Sequence, residues 1–272
     1  MKVKYLILGA GPAGLSLACR LKEMGCEDFI VIDKEDEAGG LCRSKTVDGA
    51  PLDIGGGHFQ DVRRPEVLDF LFPFMDKEEW NIYDRDSRIV VNNNVINSPI
   101  EANIWQMSLN DQVEYLKSIA IAGCNLDTKM PEKFTEWIYW KLGRKIAEDY
   151  MIPYNQKMFG EELNELGTYW LNKLPNVSFE ETLISCLEKK AYGSQPGHAT
   201  FYYPKKYGSG EIFRRMGESL KDKLILNEEI SSIDLDEKTV NGKYSADTII
   251  TTIPWKSFKS IKGLSEKNLK GI

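Results

Sequence analysis

The run Gly9-Ala10-Gly11-Pro12-Ala13-Gly14 constrains this chain more than any other feature. It follows the apolar stretch Lys4-Tyr5-Leu6-Ile7-Leu8, which suits a buried parallel strand. It opens Leu15 to Met24, which reads as a helix stopped by Gly25. A second apolar run, Phe29-Ile30-Val31-Ile32, ends at Asp33 and completes a compact βαβ unit. Gly9 permits the tight turn off the strand, Gly11 lets a pyrophosphate approach the backbone, and Gly14 lets the helix pack closely. The helix N-terminus that follows supplies unpaired N–H groups and a partial positive charge to phosphates. Asp33 is spaced to grip ribose hydroxyls, so a dinucleotide is the expected ligand.

Two further motifs say which dinucleotide. Asp33-Lys34 leads into Gly39-Gly40 and then Leu41-Cys42-Arg43-Ser44. A glycine pair there lets the chain pass close to an extended diphosphate, and Arg43 adds a permanent positive charge. Asp53-Ile54-Gly55-Gly56-Gly57-His58 follows. Three consecutive glycines cost backbone entropy, and close approach to a flat ring is their expected use. Alone, each motif is compatible with an ordinary turn. In this order they point to FAD, with the isoalloxazine beside Gly56 and Gly57. His58 is the one candidate for a catalytic role; the competing reading is a histidine satisfied by backbone hydrogen bonds.

Beyond the βαβ unit, Lys45 to Ile54 reads as a hairpin turning at Asp48-Gly49, and a helix opens at Pro65. Ile82 to Ile96 reads as a second hairpin, turning at Asn92-Asn93-Asn94. Leu109 to about Leu187 is mainly helical, and its Trp137, Tyr139 and Trp140 read as core. Gly210 to Leu220 is a further helix. Leu224 to Leu226, Ile230 to Leu235 and Asp247 to Thr252 read as strands, with a turn at Asn241-Gly242. The α/β pattern thus starts, stops and resumes. The expected organisation is a discontinuous FAD-binding domain, residues 1–75 and 200–272, with a mainly helical substrate domain, residues 76–199, inserted.

Composition excludes other classes. The chain has 272 residues, 42% hydrophobic and 28% charged, with net charge −6. It has no long basic run, which argues against nucleic acid and anionic membranes as partners. No stretch reaches the apolar length of a membrane span, and no signal peptide is visible at the start. The five cysteines are scattered without a C-x-x-C, so reduced thiols and a cytoplasmic location are expected. Two histidines, His58 and His198, argue against a histidine-rich metal site, and no metal is expected. Lys205-Lys206 reads as a solvated loop, and Cys42 as a lone thiol beside a cofactor motif.

With these motifs the sequence resembles the flavin-containing amine oxidase, protoporphyrinogen oxidase and UDP-galactopyranose mutase superfamily. The residues that carry the resemblance are Gly9 to Gly14, Asp33, Gly39-Gly40 and Asp53 to His58. The segments Leu224 to Ile233 and Ala246 to Pro254 resemble its returning strands. The resemblance implies an α/β fold: a Rossmann-type FAD-binding domain of the p-hydroxybenzoate-hydroxylase type with an inserted helical substrate domain. It also implies a backbone contact from Ile230 to the adenine end. An oxidoreductase of the amine-oxidase type is the first functional expectation.

The middle of the chain resembles the mutase branch more narrowly. Tyr154-Asn155-Gln156-Lys157 is similar to its Y-N-x-K segment, and Gly197 to Pro204 to its G-N-A-T-F-x-x-P. Gly208 to Phe213 is similar to G-T-G-G-I-W. This implies a second function, a sugar-nucleotide isomerase that uses reduced FAD without net redox change, with Tyr154, Asn155 and Lys173 as substrate candidates. The chain departs from the mutase at several points. His198 replaces an Asn, Phe159 a Trp, and Glu101 stands near a usual Gln. Lys173 stands one position early for an Arg that binds the nucleotide diphosphate, and the two cations are not interchangeable there. Family members continue past Ile272 with a closing C-terminal segment. A fragment or shortened relative is therefore expected, and an FAD-binding piece without activity is the third reading. The expected partner is a small-molecule substrate, a sugar nucleotide among the candidates; self-association is left open.

Overall fold

The computed structural model describes residues 1–55, 60–61, 64–125, 127–160, 163–171, 177–193 and 200–265. The chain divides into two compact units, Met1–Tyr83 with Thr200–Ile272, and Asp84–Ala199.

The first unit is built on the strand Lys2–Leu8 (β1), the helix Pro12–Glu23 (α1) and the strand Phe29–Ile32 (β2). β1 and β2 pair in parallel, and Leu6, Ile7 and Leu8 are fully buried. Their side chains alternate between two cores, as strand geometry requires. Ile7, Phe29 and Val31 pack with α1 residues Leu15, Ala18 and Cys19 and with Ile212, Phe213, Met216 and Leu220 of the helix Glu211–Leu220. Leu6, Leu8, Ile30 and Ile32 face the other way, onto Ile233, Val240 and Tyr244. Both faces are covered over Leu6, Ile7 and Leu8 and over Phe29–Ile32, which is why those runs are apolar.

Among the described residues the sheet has seven strands, in the order Leu224–Ile225, β2, β1, Tyr244–Thr251, Thr239–Val240, Ser232–Asp234, Ser260–Lys262. The returning strands therefore join the N-terminal sheet, one on each side of the β1–β2 pair. Leu224–Ile225 and Tyr244–Thr251 run parallel to their neighbours β2 and β1. The hairpin Ser44–Val47 (β3) and Ala50–Asp53 (β4) turns at Asp48 and Gly49, both left-handed.

Several element limits differ from the sequence reading, among them the strand expected over Asp247 to Thr252, which is Tyr244–Thr251. α1 starts at Pro12, not Leu15, because Gly11 is extended (φ −75°, ψ 178°) and a proline suits the first helical position. The strand expected over Ile230 to Leu235 is only Ser232–Asp234, since the Asn241 side chain takes the Ser231 and Ser232 amides at 3.0 and 3.2 Å. The second hairpin is Arg88–Val91 with Asn94–Asn97, and Ile82 lies in a separate strand, Trp80–Asp84.

The second unit holds that hairpin and the helices Leu109–Gly123, Phe134–Ile146, Ile152–Phe159 and Phe179–Glu188. Ser108 caps the first of these, and Ser178 with Glu181 forms a reciprocal capping box on the last. Phe134, Trp137, Ile138, Tyr115 and Ile146 form its core. Trp137 is buried and Trp140 packs against this core, whereas Tyr139, expected in the core, is exposed. No helix among the described residues is long and apolar enough to cross a membrane.

Candidate functional site

The glycine turn is held by contacts that leave its concave side open. Gly9 has φ 107°, which an L side chain rarely adopts, and its N–H donates to the Ile32 carbonyl at 2.8 Å. Gly14 sits so close to Gly9 that any Cβ would strike the Gly9 carbonyl. Gly11 is different. A Cβ there meets only the Gly40 Cα, 4.0 Å away. The protein's own contacts do not require glycine at that position. Gly11 is also the N-cap of α1 and makes no side-chain cap hydrogen bond, so the first N–H groups of the helix are left for an anion.

In front of this turn lies a cleft of about 660 Å³. Gly9, Gly11, Pro12 and Ala13 line it from the turn, and Asp33 and Lys34 from the end of β2. Gly40, Leu41 and Arg43 line it from the second glycine pair, and Ile230 from the returning segment. Gly14 and Gly39 act from behind: Gly14 by close packing, Gly39 by a φ of 120° that turns the chain. The Asp33 carboxylate is partly committed. Its Oδ2 accepts from the Ala10 amide at 2.6 Å and its Oδ1 from the Glu35 amide at 3.0 Å. It thereby ties the end of β2 to the glycine turn, and each oxygen keeps a lone pair for a ribose hydroxyl.

Sequence reasoning missed several lining residues: Ile32, Glu35, Glu229, Thr252, Ile253, Pro254 and Ser257. Thr252 follows the strand Tyr244–Thr251 and donates to the Leu8 carbonyl of β1 from both its hydroxyl, at 2.9 Å, and its amide, at 2.8 Å. The available signal was topological, because ligands of such sheets collect beyond the carboxyl ends of parallel strands.

Behind the cleft, Asp53 gathers three donors from separate segments. Ser44 Oγ donates to its Oδ1 at 2.6 Å, the Ser209 amide to the same oxygen at 3.0 Å, and Tyr203 OH to its Oδ2 at 2.8 Å. Ser44 Oγ in turn accepts from the Gly210 amide at 2.8 Å. Burial alone would raise the Asp53 pKa, but these hydrogen bonds outweigh it and hold the carboxyl below its ordinary value. Burial and the bond to Asp53 push Tyr203 up to about 12. Ser44 directly follows Arg43, so this junction fixes one wall of the cleft.

The substrate candidates lie in the second unit. Tyr154 is half-exposed and stacks on Tyr150 with ring centroids 5.4 Å apart. Asn155 is buried, and its amide donates to the Met151 carbonyl at 2.7 Å within its own helical segment. Gly56, Gly57, His58, Lys173 and His198 lie outside the described residues.

The donor set fits a dinucleotide diphosphate: bare Gly11, an uncapped helix start, and Arg43 with Lys34 as cations. Residues 7–72 match the NAD(P)-binding Rossmann-like domain family. The crystal structure of reduced UDP-galactopyranose mutase superposes with a TM-score of 0.90 and 28% identity, covering 98% of this chain and 59% of that one. A redesigned putrescine oxidase superposes with a TM-score of 0.65 and 16% identity over 99% of this chain and 63% of that one. Putrescine oxidase of Kocuria rosea is 49% identical over 51 residues, 19% of this chain and 10% of that enzyme. The chain thus spans less than two thirds of the mutase, and the sequence matches take in 50% or less of the curated relatives. The fold, the cleft and these likenesses agree: the chain is similar to the FAD-dependent amine oxidase superfamily, and its cofactor is FAD.

Proposed function

We propose that this chain carries the FAD-binding part and a substrate-binding part of an enzyme that isomerises a sugar nucleotide, as its likeness to UDP-galactopyranose mutase suggests. One observation carries the reading. The match to the mutase runs over 98% of the chain at 0.90 and 28% identity, against 0.65 and 16% for the putrescine oxidase. The first unit would hold the cofactor. Gly11, Ala13 and Gly40 would bring backbone N–H groups to the diphosphate, with Gly9 and Pro12 shaping the turn, and Arg43 would bring a charge. Asp33 would take the ribose and Ile230 the adenine end. The second unit would hold the sugar nucleotide, with Tyr154 exposed for it. FAD, when reduced, would supply an electron-rich ring for the isomerisation. The protein's part is to bind, orient and exclude water.

A second reading, an amine-oxidase-type oxidoreductase, is supported by the 49% identical stretch of putrescine oxidase. Purified chain should take up FAD, not FMN. Reduced with dithionite and given UDP-galactopyranose, it should convert the sugar nucleotide without consuming reductant. Oxygen consumption with an amine panel, and no conversion of the UDP-sugar, would favour the second reading. Absence of any flavin uptake would defeat both. The five free cysteines support a reducing compartment, and we place the protein in the cytoplasm.

A further inference from the structure

Arg43, the cation that follows the second glycine pair, is already engaged. Its Nη1 donates to Glu35 Oε2 at 2.9 Å, and its Nε to the Gly40 carbonyl at 2.9 Å. Asp36 stands 3.9 Å from the same Nη1. The Arg43 side chain is only 14% exposed and that of Glu35 35%, and both residues line the cleft. Neither arrangement is loose. The Glu35 amide donates to Asp33, and its carbonyl accepts from the Asn227 amide at 2.9 Å. A Cβ on Gly39 would lie 2.9 Å from Arg43 Cγ, so the turn is shaped to let the arginine stem cross it. The backbone aims the guanidinium at a carboxylate.

A carboxylate in the wall of a diphosphate site acts against the ligand twice. It repels the phosphates, and it competes with them for the same N–H donors. We infer that Glu35 is a clamp on Arg43 that sets how tightly the cleft holds the FAD diphosphate. This rests on the cleft being the FAD site. Affinity falls by the fraction of time Arg43 is held by Glu35 and not free for the ligand. Removing the charge of Glu35 should therefore tighten binding, which is the opposite of what losing a structural contact does.

The test is FAD titration of the whole chain by flavin fluorescence, with wild type, Glu35→Gln, Arg43→Gln and the double variant. Glu35→Gln is expected to bind FAD about tenfold more tightly than wild type, the size of one charge-assisted hydrogen bond released to the ligand. Arg43→Gln is expected to bind more weakly, and adding Glu35→Gln to it should then change little. The tightening should fade at about 1 M salt, where charges are screened within roughly 3 Å. Far-UV circular dichroism of the apoproteins checks that each variant folds. Weaker or unchanged binding by folded Glu35→Gln would overturn the clamp while leaving the cofactor site standing. So would equal tightening in the Arg43→Gln background, which would mean simple repulsion. Wild type that binds no FAD would overturn the cofactor site and the clamp together.

Discussion

Gly14 packs its bare Cα against the carbonyl oxygen of Gly9, with no room for a Cβ between them, whereas a Cβ on Gly11, three residues earlier, would meet only the Gly40 Cα, 4.0 Å away. Two glycines of one motif thus have separate reasons to be glycine. Gly14→Ala is expected to destabilise the apoprotein by about 1–3 kcal/mol or more, since backbone must move to admit the methyl group. Gly11→Ala should leave apoprotein stability within about 1 kcal/mol, because the extended backbone there suits alanine. It should weaken FAD binding at least tenfold, by putting a methyl where the pyrophosphate passes. Thermal melts and FAD titrations of both variants check this. Unchanged affinity in Gly11→Ala would mean that the phosphates lie elsewhere.

The Asp53 junction gives a pH-dependent prediction. Its carboxyl is held below the ordinary value of 3.8, so the folded state favours the ionised form. That stabilisation is present above the unfolded value and is lost as pH falls through the folded one. Asp53→Asn should cost about 1–3 kcal/mol at pH 7, since three donors then face a weaker acceptor that carries its own N–H groups. The gap from wild type should narrow as pH falls below 3.8. Urea titrations at pH 7 and pH 3 measure it; a gap of equal size at both would rule out an ionic role for Asp53.

The parts of this fold legible in the sequence are those set by local physics. The βαβ unit followed from two apolar runs and a glycine turn. The turns at Asp48-Gly49 and Asn241-Gly242 followed from residues that tolerate left-handed backbone, and all four adopt it. What was not legible depends on distant contacts. Nothing in the spacing of Glu35 and Arg43 announces that they pair. Thr252, Ile253 and Pro254 line the cleft only because a strand begun at Tyr244 returns beside β1. Asn155 looked like a ligand-binding residue by motif, yet burial gives its amide to the backbone. Glu101 stood out as a replacement for Gln, but sequence could not tell that it would be buried.

That burial supports the last prediction. Glu101 is only 7% exposed, at the start of the short helix Ile100–Asn103. Burial raises its pKa; its own backbone amide and the charge of Lys141 offset this only in part. A carboxyl whose folded pKa lies above its unfolded one is protonated in the fold while the unfolded chain has already ionised. Ionisation then favours unfolding, so stability falls as pH rises from the unfolded value of 4.5 toward the raised folded value. Glutamine has the same shape without the charge. Glu101→Gln should match wild type near pH 4 and be the more stable protein at pH 8. Each kcal/mol gained should raise the melting temperature by about 2–4 °C. Melting curves at the two pH values decide it. If Glu101→Gln melts lower than wild type at pH 8, the ionised carboxylate is satisfied in the fold, and the buried acid is a stabilising partner of Lys141 instead.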